Sequence, residues 1–346
     1  DAKGLNVREA SVHPRATENI DEIIDIIRTL EEKGYAYAVN GDVYFRTRKD
    51  QGYGKLSHQP IEDLESGARI AVGEQKEDPL DFALWKAAKP GEPYWESPWG
   101  QGRPGWHIEC SAMNRRYLGP TIDLHCGGQD LIFPHHENEI AQSECANGCT
   151  FANYWMHNGF VNIDNVKMSK SLGNFITVHD ALKTIDGQVL RFFFATQHYR
   201  KPINFTEKAV RDAETNLKYL KNTYEQPFTG EVDPADLQSF VDKFVAAMDE
   251  DINAANGITV VFELAKWINS GHYNQDVKEA LAKMLEVFGV VFVEEVLDAD
   301  IEALIAERQE ARAKKDFARA DAIRDELAAQ GIKLLDTKEG VRWTRD

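Results

Sequence analysis

Apolar residues recur at helical spacing at Ile20, Ile23, Ile24, Ile27 and Leu30, and Gly34 ends the run, which predicts an amphipathic helix. Asn19, three residues before Glu22, has the form of a capping box at its start. The period then changes. Strand-like runs at 35–39 and 43–46 flank Asn40-Gly41, the dipeptide of a two-residue hairpin turn. The stretch 90–105 holds Pro90, Pro93, Pro98 and Pro104 with Trp95 and Trp99, and reads as a loop-rich connector. A strand is expected at 121–124, then a glycine-bearing turn, then a helix opening at Pro134 and running to about Gly148. From about 207 the pattern is amphipathic and helical, at 207–225, 235–250, 254–270, 276–289 and, with a break, 298–330. That series predicts a helical bundle. Alternation from Ile332 to Trp343 around Lys338-Glu339-Gly340 predicts a small terminal hairpin.

Composition narrows the class. The chain has 346 residues, 42% hydrophobic and 28% charged, which suits a globular protein and excludes a disordered one. Its longest apolar run, 287–293, is too short to cross a bilayer, and no charged-then-apolar leader opens the chain. Four cysteines in this length make no disulfide scaffold and suit a reducing cytoplasm. A net charge of −17 argues against a general nucleic-acid coat but leaves room for local basic surfaces.

The chemistry-prone residues crowd into 106–175, which holds all four cysteines and five of the ten histidines. His135 and Glu139 lie one helical turn apart, a half-site for a divalent metal, and Cys110 could add a sulfur from another element. A solvated His/Glu pair is the plainer reading of that spacing, and Cys145 and Cys149 are rival ligands. His125-Cys126-Gly127-Gly128-Gln129-Asp130 could bring backbone close to a ligand, with an acid placed to hold ribose hydroxyls. The sharpest signal is Lys167-Met168-Ser169-Lys170-Ser171: two lysines three apart, with hydroxyl residues between, suit a loop that meets a triphosphate.

That last run is the KMSKS signature of class I aminoacyl-tRNA synthetases. The blocks around it resemble the cysteinyl-tRNA synthetase family across essentially the whole chain. They are Arg15-Ala16-Thr17-Glu18, Tyr53-Gly54-Lys55-Leu56-Ser57, Arg103-Pro104-Gly105-Trp106-His107-Ile108-Glu109-Cys110-Ser111-Ala112-Met113, Phe133 to Glu139 and Tyr154-Trp155-Met156-His157-Asn158-Gly159-Phe160. The resemblance implies an α/β, Rossmann-like class I catalytic core over 1–205, with an inserted connective segment at about 35–100. A helical bundle over 206–298 and a C-terminal, anticodon-contacting tip over 299–346 would follow. It implies Cys110, His135 and Glu139 as three of four zinc ligands and Trp106 in the pocket for L-cysteine. His125, Gly127, Gly128, Asp130 and His157 would contact ATP or the adenylate, and Trp155 would line the same crevice. Lys167 and Lys170 would be catalytic, Lys170 touching ATP, which travels with Mg2+. Cys126, Cys145, Cys149 and His136 receive no ligand role.

The family's His-Ile-Gly-His motif, and the cysteine before it that completes the zinc site, do not occur in this sequence. With Asp1 in place of Met, this implies a core incomplete at its N-terminus. The implied reaction joins L-cysteine to tRNA(Cys) through cysteinyl-adenylate in a cytoplasmic, monomeric protein with no membrane partner. Zinc would tell cysteine from serine by binding the substrate sulfur, so no editing domain is needed. Arg308, Arg312, Lys314, Lys315, Arg319 and Arg324, interleaved with Glu307, Glu310, Asp316 and Asp321, would belong to the anticodon-reading end, with Trp343 a candidate for base stacking. Two alternatives share part of this logic. A ligase joining activated cysteine to an amino sugar would not need residues 207–346, and a tRNA- or zinc-binding module would catalyse nothing.

Overall fold

The computed structural model describes residues 1–59, 75–293, 299–337 and 340–345. They form two compact units, Asp1–Val291 and Phe292–Asp346.

Helix α1 (Ile20–Glu32) buries Ile23, Ile26, Ile27 and Leu30 completely. Each such side chain contributes about 1.5–3 kcal/mol on leaving water. The capping box does not form. The Asn19 amide donates to the Arg15 carbonyl at 2.7 Å and its Oδ1 accepts from Arg116, while Glu22 pairs with the same guanidinium at 2.8 Å. Strands β1 (Ala36–Val39) and β2 (Asp42–Phe45) pair antiparallel across the expected Asn40-Gly41 turn. Asn40 and Gly41 have φ of +50° and +86°, the two successive positive values such a turn requires. Strands β3 (Phe82–Ala87) and β4 (Gly102–Pro104) complete a sheet ordered β1-β2-β3-β4. The connector expected at 90–105 therefore ends in an edge strand. Prolines and glycines hide any period of two there, and Trp95 bridging Gly102 with Trp99 against Trp85 fixes the return.

Helix α2 (Trp106–Leu118) and helix α3 (Glu137–Asn147) pack on α1 and this sheet around Val43, Phe45, Leu84, Trp85, Ile108 and Ala141. Helix α3 is also the crossover between β5 (Ile122–Gly128) and β6 (Ala152–Asn158), which are parallel and in register from Ile122↔Ala152 to Gly128↔Asn158. Two expectations change here. The strand runs on to Gly128, because its backbone pairs with β6 through both glycines, and the turn falls at Gln129–Leu131. The helix begins at Glu137, not Pro134, after an irregular turn at Ile132–His136 in which Phe133 is extended; Gly148 closes it.

Strands β7 (Val161–Ile163), β8 (Val166–Lys167) and β9 (Ile203–Phe205) form a third sheet, ordered β8-β7-β9 with β7 and β9 parallel. Between β8 and β9 lies helix α4 (Gly187–Ala195), which the sequence reading missed. Four helices follow as expected: α5 (Glu207–Tyr224), α6 (Pro234–Asp249), α7 (Ala254–Asn269) and α8 (Gln275–Val287). Thr206, Asp233, Asn253 and Asn274 cap them in turn, each side chain accepting a first-turn N–H.

In the second unit, α9 (Ala299–Ala313) and α10 (Phe317–Ala329) precede an antiparallel hairpin of β10 (Ile332–Thr337) and β11 (Gly340–Arg345). Lys338 and Glu339 of the expected turn lie outside the described residues. Trp343 sits opposite Leu334 and packs on Ile301, Ile323, Leu327 and Ile332. It serves this unit's core, which the stacking expectation did not anticipate. Arg319 pairs with Glu307, Lys314 with Glu310 and Arg324 with Asp321, while Arg308 is buried. Much of the expected basic cluster is thus locally neutralised.

Candidate active site

Helix α3 explains the site. Glu137, Asn138, Glu139, Gln142 and Ser143 are all buried on it, so the helix spends its interior positions on polar chemistry. Buried polar groups need partners, and the neighbouring elements supply many of them. Ser111 on α2 donates to Gln142 Oε1 at 2.8 Å. His125, late on β5, has Nε2 2.9 Å from Glu139 Oε2, and His135 and His136 bring their Nε2 atoms to 3.5 and 3.8 Å of the same oxygen. Glu139 Oε1 is buried with no hydrogen-bond partner.

Cys110, His135 and Glu139 come together from α2, the Ile132–His136 turn and α3, with their donor atoms all within 4.8 Å of one another. His125, His136 and Glu139 form a second such group, sharing the carboxylate. Among the described residues these are the two sets able to hold a metal ion. Cys145 and Cys149 belong to neither. Cys145 packs against the core beside α1, and exposed Cys149 lies against Thr121 and Pro120.

The electrostatics suit a cation. Burial pushes the Cys110 thiol up to about 12, with Glu139 adding to the effect. Burial lowers His136 to about 3 and His107 to about 4, and it lowers His135 and His157 too. These rings are neutral at pH 7 and offer lone pairs. A sulfur, an imidazole and an orphaned carboxylate oxygen are the donor set zinc accepts, so the residues fit that ion.

Around this centre, Trp106 is exposed and stacks on His135 with ring centroids 4.4 Å apart. His157 on β6 has Nε2 2.8 Å from His136 Nδ1, and Trp155 lies against His125 and His136 at 4.9 and 5.2 Å. Gly127 passes so close to His136 that a Cβ there would sit 2.7 Å from the ring. A Cβ on Gly128 would meet Asp130 Oδ1 at 2.6 Å. The structure therefore brings His125, Gly127, Trp155 and His157 to the same centre as Cys110, His135 and Glu139. Lys167 ends β8, its ammonium 4.0 Å over the Phe160 ring. Asn174 braces the loop beyond it, accepting from the Ser169 N–H at 2.9 Å and donating to the Lys167 carbonyl at 3.3 Å. The Lys170 side chain lies outside the described residues. Sequence reasoning missed His107, whose Nδ1 is 2.7 Å from His135 Nδ1. Its signal was the three-residue spacing to Cys110 on α2. It also gave no role to His136, which sits inside the second group.

A parallel β5-α3-β6 unit, with a buried Cys/His/Glu group beside its strand ends and a braced lysine loop after β7 and β8, is the arrangement of a class I aminoacyl-tRNA synthetase catalytic domain. Residues 1–215 match the family described as tRNA synthetases class I (C) catalytic domain, 243–294 the DALR domain and 294–343 the cysteinyl-tRNA ligase anticodon binding domain. The chain is 72% identical over 349 aligned positions to the cysteine–tRNA ligase of Streptococcus pneumoniae serotype 4, covering all of this chain and 78% of that protein. It is 69% identical to the one of Streptococcus mutans serotype c, with the same coverage. The fold is similar to that of Mycobacterium tuberculosis methionyl-tRNA synthetase in complex with methionyl-adenylate, at TM-score 0.55 and 14% identity over 83% of this chain and 74% of that one. The chain belongs to the cysteine–tRNA ligase family, a family of ATP-using aminoacyl-tRNA ligases. No helix among its described residues is long and apolar enough to cross a membrane.

Proposed function

We propose that the protein activates L-cysteine with ATP and passes it to tRNA(Cys), in the cytoplasm and as a monomer. Residues 1–205 would carry the chemistry, 206–298 the helical support and 299–346 the contact with the anticodon. The observation that carries the reading is the convergence of Cys110, His135 and Glu139, with Glu139 Oε1 buried and unpartnered.

In the first step the substrate carboxylate attacks the α-phosphorus of ATP, giving the adenylate and pyrophosphate. Lys167 and Lys170 offset the charge that grows on the departing phosphates, alongside the Mg2+ that accompanies ATP. His125, Gly127, Gly128, Asp130 and His157 border the adenylate. Trp106, exposed above His135, closes one side of the pocket for the amino acid. In the second step a ribose hydroxyl of the tRNA terminus takes the acyl group and AMP leaves. Positioning supplies most of the rate, since neither step requires a covalent enzyme intermediate. Cys110, His135 and Glu139 would hold zinc, which prefers a substrate sulfur to a hydroxyl and so supplies a discrimination against serine that shape alone cannot.

The test is cysteine-dependent ATP–pyrophosphate exchange by the full-length enzyme, with zinc content measured in parallel. Lys170→Ala should abolish exchange with zinc retained. Cys110→Ala should lose zinc and the preference for cysteine over serine. Normal exchange in the first variant, or normal discrimination in the second, would overturn the reading.

A further inference from the structure

A buried anchor in the catalytic unit belongs to a residue with no place in the chemistry just described. Glu137, the first residue of α3, has 0% exposure. Its Oε1 accepts the Gly54 N–H at 2.9 Å, and its Oε2 accepts the Ser57 N–H at 2.8 Å and the Leu56 N–H at 3.2 Å. The 53–57 loop is tied to α3 at two further points. Tyr53 donates to Asn138 Oδ1 at 2.6 Å, and Lys55 pairs with Glu144 at 2.5 Å. Lys55 thus spends its charge elsewhere, and backbone N–H groups together with the positive end of α3 receive the buried carboxylate. Successive helical residues turn by about 100°, so Glu137 and Glu139 point about 200° apart. One faces the loop and the other the Cys110 group.

We propose that Glu137 is a positioning residue for the thiol-recognising centre: by clamping the 53–57 loop it fixes the rotation and height of α3, and so where His135 and Glu139 stand relative to Cys110. The proposal rests on the metal reading given above. Helix α3 is held at its start from one side by the loop and closed at its end by Gly148. Its buried face mixes Ile140, Ala141 and Ala146 with its polar residues, and two alanines give little shape with which to lock a rotation. The clamp adds the constraint that this packing leaves open.

Glu137→Gln in the full-length enzyme tests this. Both carboxylate oxygens receive N–H donors, so an amide of the same size must turn its own NH2 toward one of them. Zinc affinity, measured by chelator competition, should fall roughly tenfold or more, in the range seen when groups that orient metal ligands are removed. KM for cysteine should rise by a similar factor while KM for ATP stays unchanged. Tyr53→Phe, which removes one hydroxyl, should move both readouts the same way by less. A lower melting temperature with unchanged zinc affinity and unchanged KM for cysteine would reduce Glu137 to a structural tie and overturn the proposal. If Glu137→Gln does not fold, Tyr53→Phe decides alone, and wild-type zinc affinity and KM in it count as refutation. Zinc retained by Cys110→Ala would instead overturn the metal reading, and the proposal with it.

Discussion

His107 and His135 face one another through their Nδ1 atoms at 2.7 Å, which leaves the Nε2 of His135, 3.5 Å from Glu139 Oε2, as the nitrogen turned toward the Cys110 group. One of the two rings donates and the other accepts, so the pair sets which nitrogen of His135 carries its free lone pair. His107→Phe keeps a ring at the position that meets Phe82 edge-on at 5.9 Å and deletes only the nitrogen contact. Zinc affinity should fall about 10- to 100-fold with the far-UV spectrum unchanged. Chelator competition that returns the wild-type affinity would show the contact to be idle.

Gly127→Ala should separate folding from activation. The added methyl would lie 2.7 Å from the His136 ring, whose Nδ1 is tied to His157 at 2.8 Å. Something must move, and misplacement on the order of 1 Å can cost 10²-fold in rate. Exchange should drop about that far while the melting temperature changes little. A variant with wild-type exchange would mean the crevice has slack that the distances deny.

Asp251 gives a pH signature. It accepts from Arg200 Nε at 2.6 Å and from Tyr199 Oη at 2.6 Å, and these hydrogen bonds, that of Arg200 foremost, hold its carboxyl down to about 2. A depressed carboxylate lends stability above its ordinary range near 4 and loses it as the pH falls toward 2. Asp251→Asn should therefore have a lower urea midpoint than the wild type at pH 6. That gap should narrow between about pH 4 and pH 2 and then close. The Tyr199 carbonyl accepts from Gly159 at 2.7 Å, one residue before the Phe160 that lies under Lys167. A gap of constant size from pH 6 to pH 2 would contradict the pairing.

Ile323 is fully buried in the second unit with Leu327, Ile301 and Ile332. Ile323→Ala should cost about 2–5 kcal/mol there, a large share of what so small a core can hold. Since the catalytic unit has its own core, pyrophosphate exchange should survive while tRNA charging falls. Equal loss of both would argue against the assignment of 299–346 to tRNA.

Elements with a strong period were legible in the sequence. The Ile20 to Leu30 stripe, the Asn40-Gly41 hairpin and the four helices from Glu207 to Val287 fell within a few residues of expectation. Helix α3 was not legible as a period. Most of its buried positions are polar, and Ile140, Ala141 and Ala146 are too few to make an apolar stripe, so only Pro134 and Gly148 bracketed it. Strand β5 was cut short for a related reason: His125 to Gly128 carry no strand preference, and tertiary pairing with β6 makes them one. At the site, the grouping of Cys110 with His135 and Glu139 followed from a half-motif on one element and a resemblance. His107 escaped because its partner is 28 residues away and its three-residue spacing to Cys110 does not announce that contact.

The polar interior of α3 carries a lesson for anyone wishing to retune this enzyme to another amino acid. Glu137, Asn138, Glu139 and Gln142 hold the neighbouring elements in place across α2, β5 and the 53–57 loop. A single exchange aimed at the pocket strands a donor or acceptor somewhere along that chain, so viable changes must arrive as linked sets. Directed evolution by one-at-a-time screening will stall on this helix, and libraries that vary its facing pairs together are the ones that can leave the ancestral specificity behind.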